Sequence, residues 1–155
     1  MERHLEPLAI AANITQAAHC HLDTVLLTFG SLVGLYQTRV SSEDVVGCTA
    51  ILESLEKRWL AADQDVFVAA VIVNPFFRAT PFAPGPRFST AHIKSLLASL
   101  YFRFFQSQPP STFYTELQEY LIGSGQYRGL ESMCNVQISN SRNEVCLYLL
   151  GIIEY

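Results

Sequence analysis

Residues 22–36 read Leu22-Asp-Thr-Val-Leu-Leu-Thr-Phe-Gly-Ser-Leu-Val-Gly-Leu-Tyr36. The apolar set Leu22, Val25, Leu26, Phe29, Leu32, Val33 and Tyr36 advances by steps of three or one. That is the period of one helical face, not the alternation of a strand. Asp23, Thr24, Thr28 and Ser31 break the run, so it stays short of the roughly 18 uninterrupted apolar residues of a membrane span. The stretch predicts a buried helix capped by Asp23, with Gly30 and Gly34 weakening it while letting a neighbour approach.

The same period extends in both directions. Upstream, Leu5, Leu8, Ile10, Ala11, Ala12, Ile14 and Ala17-Ala18 predict a helix with Pro7 in its first turn, where proline is tolerated. Downstream, Ser41-Ser42-Glu43-Asp44 offers caps and first-turn acids for a third helix with the stripe Val45, Cys48, Ile51, Leu52, Leu55 and Trp59. Glu53, Glu56, Lys57 and Arg58 occupy its other face. Asp63 caps a fourth segment over 65–73 that is apolar all round. Period alone does not separate helix from strand there, and the acidic cap, the two alanines and the Asn74-Pro75 stop favour helix. Residues 78–89, with Pro81, Pro84, Gly85 and Pro86, form a loop. Ser89-Thr90 opens a fifth helix that ends at Pro109-Pro110. Ser111 caps a sixth, stopped by Gly123-Ser124-Gly125. The residues from Asn135 show no clear pattern, and 145–153 is apolar enough for a strand or a short helix. The expected fold is all-α: a bundle of five or six helices with short loops and an unassigned C-terminal tail.

The chain has 155 residues, of which 50% are hydrophobic and only 15% charged. Intrinsic disorder needs the opposite balance. A freestanding domain carries about a quarter charged residues, so either this surface is unusually apolar or part of it meets something else. Net charge is −4, without the basic surplus of a protein that binds DNA tightly on its own. The polar N-terminus lacks a signal-peptide run, and Cys20, Cys48, Cys134 and Cys146 contain no C-x-x-C pair. These point to free thiols and to a nuclear or cytoplasmic protein, neither secreted nor in the membrane. The sequon Asn13-Ile14-Thr15 then has no use.

The candidate chemistry is thin. His19-Cys20-His21 is the most metal-like cluster, yet on a helix residues 19 and 21 point apart, Cys48 stands alone, and His4 and His92 are remote. Asp63 and Asp65, like Glu43-Asp44, read as caps and dipole partners. Glu116 and Glu119 read as a solvated face. There is no nucleophile elbow, phosphate loop or dinucleotide loop. Tyr101, Phe102, Phe104, Phe105, Phe113, Tyr114 and Tyr120 are interleaved by one basic residue, Arg103, which favours packing of the fifth helix on the sixth over base stacking. Lys57-Arg58-Trp59 suits a phosphate contact, or simply a charged face with one core tryptophan.

Three stretches resemble a known family. Residues 5–30 run from Leu5-Glu-Pro-Leu-Ala through His19-Cys-His to Phe29-Gly30. Residues 55–78 carry Arg58-Trp59, then Ala62-Asp-Gln64, then an apolar helix ending in Asn74-Pro-Phe-Phe-Arg78. Residues 103–125 hold Arg103-Phe-Phe, a double proline and Phe113-Tyr-Thr-Glu-Leu117. In this order they resemble fungal hAT-family transposases, over about residues 3–133. The resemblance implies the helical insertion of a DDE transposase with an RNase H-like core, leaving 134–155 unassigned. It implies no catalytic residue here: the family's acids find no matching position, Glu144 and Glu154 included, and a two-metal site is not expected. The expectation is a non-catalytic fragment that needs no cofactor and meets DNA only within a full-length transposase, with Arg58 and Trp59 as contact residues. The alternative is a domesticated helical module that associates with itself or with another protein through apolar surface.

Overall fold

The computed structural model describes residues 2–40 and 44–140. The cap candidates Ser41, Ser42 and Glu43, the apolar run 145–153, and Glu144 and Glu154 lie outside the described residues. Among the described residues seven α-helices follow one another: α1 Glu2–Thr15, α2 Leu22–Val40, α3 Val45–Ala61, α4 Gln64–Val73, α5 Thr90–Phe105, α6 Ser111–Ile122 and α7 Leu130–Asn140. Two 3₁₀ turns, Pro86–Phe88 and Gly125–Tyr127, join them. Among the described residues there is no strand, so the apolar segment before Asn74 is helical despite its β-branched residues. The all-α expectation holds, with one helix more than five or six: α7 begins at Leu130 and runs into the patternless stretch.

The helix ends show where local reading was and was not sufficient. Asp44 is the N-cap of α3, its carboxylate accepting the Gly47 N–H at 3.0 Å. Ser89 caps α5 through the His92 N–H. Asp23 does not cap α2; it lies inside the first turn, buried, and accepts the Thr24 N–H at 2.8 Å. Ser111 is the first residue of α6 and Pro110 is its N-cap, without a side-chain bond. Pro7 lies beyond the first turn of α1, and that helix stops at Thr15, whose hydroxyl turns back onto the Ala11 carbonyl. α5 ends before the double proline because Gln106 adopts left-handed backbone, φ 52°.

The described residues divide into two compact units, one ending at Phe67 and the other beginning at Val68, so the division falls inside α4. In the first unit, α1, α2 and α3 enclose Ala11, Leu32, Tyr36, Cys48 and Leu55, with Leu8, Phe29, Ile51 and Leu52 packed around them. Val45, expected on the inner stripe, is more than half exposed at the start of α3. In the second unit the buried side chains are Ala69, Val71 and Ile72 of α4, Ile93 and Leu100 of α5, Leu117 of α6 and Cys134 of α7. Tyr101 and Phe113, 5.7 Å apart, connect α5 to α6. Phe82 stacks on Phe88 at 4.2 Å and closes the proline-rich loop.

Candidate functional site

The two residues singled out on α3, Arg58 and Trp59, line a cleft in the first unit. Val25, Leu26 and Phe29 of α2 form one wall; Arg58, Trp59, Ala62 and Phe67 form the other. The apolar residues of α2 that face this cleft are members of the same three-and-four stripe that builds the core. The chain makes the opposite wall by ending α3 sharply. Ala62 turns extended, at φ −83° and ψ 157°, and returns its N–H to the Trp59 carbonyl. The Gln64 side-chain amide reaches the same carbonyl at 3.2 Å. That double capping holds the last turn of α3 and brings Phe67 edge-on to Trp59, with centroids 6.1 Å apart at 62°, a favoured aromatic geometry.

The cleft is shallow, with a cavity volume of about 40 Å³, far below the ~300–1,000 Å³ of sites that engulf a small molecule. Its lining is apolar except for Arg58, whose side chain is exposed. No nucleophile or carboxylate lines it. It suits holding a flat apolar group with a negative charge near the arginine. Trp59 is half-buried at this wall, not a core residue.

His19 and His21 are exposed on the α1–α2 connection and Cys20 is half-buried, its thiol directed at the His21 carbonyl. Among the described residues no three His, Cys, Asp or Glu side chains converge as a metal site. Asp63 immediately precedes α4 and Asp65 lies in its first turn. Glu116 is exposed, but Glu119 is half-buried, lying where a side chain at Gly125 (φ 54°) would stand. Of the aromatic cluster, Tyr101 and Phe113 join the α5–α6 contact, whereas Phe102, Phe104, Phe105 and Tyr114 are between 41 and 68% exposed.

One grouping was not legible in sequence. His4, far from Cys48 along the chain, has its Nδ1 at 3.9 Å from the Cys48 sulfur and its Nε2 at 3.7 Å from Asp44 Oδ2. The Tyr36 hydroxyl donates to the His4 carbonyl. Burial pushes the Tyr36 phenol up, partly opposed by Arg39, whose guanidinium lies 5.8 Å from the ring centroid, and reinforced by Cys48. The local signal was the i, i+4 spacing of Asp44 and Cys48; nothing local points to His4.

No family model, curated protein or solved structure matches the chain.

Proposed function

We propose that the chain is a helical region of the hAT-transposase type that has no catalytic chemistry of its own, contacts the DNA backbone through Arg58 and Trp59, and acts within a larger assembly. The observation that carries the reading is the Arg58–Trp59 pair on one accessible wall: an exposed guanidinium beside an aromatic face in an apolar cleft. A guanidinium binds phosphate and an aromatic face accepts a sugar or base. The ordered series of three motifs supports the same reading. The net charge of −4 makes the contact an auxiliary one, dependent on other parts of an assembly for affinity. Among the described residues no helix is long and apolar enough to cross a membrane.

The test is incubation of the purified chain with transposon-end duplexes and Mg²⁺ or Mn²⁺. The expected result is no nicking or joining, with weak, salt-sensitive binding in fluorescence anisotropy that Arg58→Ala and Trp59→Ala each reduce. Strand cleavage, or binding indifferent to both substitutions, overturns the proposal.

A second reading, a protein-interaction module, rests on the exposed large apolar side chains Val46, Leu60, Phe104 and Phe105, each at least 66% accessible. A monodisperse monomer with a cooperative melt and no DNA affinity favours it over the first.

A further inference from the structure

We propose that Cys48 is a modification site, a thiol that small hydroperoxides oxidise to a sulfenic acid, with His4 as its base and Asp44 as the residue that orients His4. This does not depend on the transposase reading. The grouping has the layout of an activated nucleophile: a thiol, a base within reach and a third group behind the base. Cys48 Sγ faces His4 Nδ1, and His4 Nε2 faces Asp44 Oδ2. Asp44 is itself fixed, its other oxygen accepting the Gly47 N–H. Gly47 completes the arrangement. A Cβ there would lie 2.8 Å from Asp44 Oδ2, and a glycine inside a helix costs about 1 kcal/mol relative to alanine. The first turn of α3 thus gives up helix propensity where the carboxylate needs room.

Cys48 is fully buried, and a thiol closed off in this way is inert. His4, in the first turn of α1, lies against it, and that turn lacks one helical bond. Pro7 has no N–H, so the Arg3 carbonyl receives no i→i−4 bond. The next carbonyl, that of His4, is held by the Tyr36 hydroxyl of α2. Helix ends open locally at far lower cost than global unfolding. A local opening that leaves His4 beside the sulfur, its carbonyl still held by the Tyr36 hydroxyl, admits the peroxide. His4 takes the thiol proton, the sulfur attacks one peroxide oxygen, and the S–O bond forms as O–O breaks. The proton passes to the departing hydroxide, which leaves as water. Sulfur is oxidised and peroxide reduced, with no other reactant.

The test uses the full chain, hydrogen peroxide with a sulfenic-acid trap, and iodoacetamide as a second probe, read per cysteine by mass spectrometry. Cys134, almost as deeply buried at 7% exposure, is the reference. Cys48 is expected to react at least roughly tenfold faster than Cys134, within the reach of a positioned base. His4→Gln and Asp44→Asn slow it. If His4 and Asp44 only fill space, removing them loosens the cover and accelerates labelling, the opposite sign. Equal rates at Cys48 and Cys134, or acceleration by both His4→Gln and Asp44→Asn, overturn the proposal. Should His4→Gln fail to fold, Asp44→Asn and the pH profile of native Cys48 labelling decide it: a rate that tracks thiol ionisation alone, identical in shape to that of Cys20, refutes a histidine base.

Discussion

Tyr120 donates its hydroxyl to the Ile72 carbonyl at 3.0 Å, so a side chain on α6 satisfies one of the carbonyls that α4 leaves open in its last turn. Arg78 lies over the same ring at 5.9 Å, and Tyr127 meets it edge-on. Burial raises the Tyr120 phenol from 10.0 to about 12, with Arg78 opposing and Cys134 and Tyr127 adding.

A raised pKa means that the folded state holds the proton longer than the unfolded chain does. The stabilisation from Tyr120 is therefore complete below about pH 10 and is lost as pH climbs towards about 12. Tyr120→Phe is expected to cost roughly 1–3 kcal/mol at neutral pH, because it leaves the Ile72 carbonyl without this donor. It also flattens the alkaline fall in stability relative to the parent. Urea melts of both proteins at neutral and alkaline pH check the two effects together.

Gly47→Ala normally gains about 1 kcal/mol in a helix. Here the new methyl displaces the Asp44 carboxylate, whose cap is worth about 1 kcal/mol. No net gain, or a loss, is expected. In an Asp44→Ala background the usual gain returns, and a double-mutant cycle by thermal melting measures the difference.

Phe67→Ala removes the edge that closes on Trp59, the single tryptophan of the chain. Trp59 emission is expected to shift to the red and become more readily quenched by acrylamide, with roughly 1–3 kcal/mol lost from the first unit. An unchanged spectrum would show that the contact does not persist in solution.

Phe104 and Phe105 are 68 and 66% exposed, so replacing Phe104 with serine costs the fold within about 0.5 kcal/mol, and Phe105, whose ring lies 4.6 Å from that of Tyr101, about 0.5–1.5 kcal/mol more. If they face a partner or a second copy, Phe104→Ser lowers self-association in sedimentation without a change in melting temperature. An unaltered sedimentation profile in a chain that self-associates assigns the association to another surface.

The helices were legible because each carries its own period. The stripe from Leu22 to Tyr36 and the Ser89 and Asp44 caps need no tertiary information. α7 was missed because Leu130 to Asn140 has only a weak apolar face. Two helix ends differ from the local reading: Pro7 marks the first turn in sequence but lies beyond it in α1, and the left-handed Gln106 ends α5 before the double proline is reached. At the candidate site, Arg58 and Trp59 were visible as neighbours in sequence, but the opposite wall of α2 was not. His4 and Cys48 were separated in reading because only tertiary packing brings the two helices together.

Domain junctions usually fall in loops that a protease can enter. Here the boundary between Phe67 and Val68 lies in the middle of α4, among backbone groups already bonded along the helix. At this boundary limited digestion meets a bonded helix and not a loop. Any attempt to express one without the other must cut through a helix whose Phe67 meets Trp59 of the first unit and whose Ala69, Val71 and Ile72 are buried in the second.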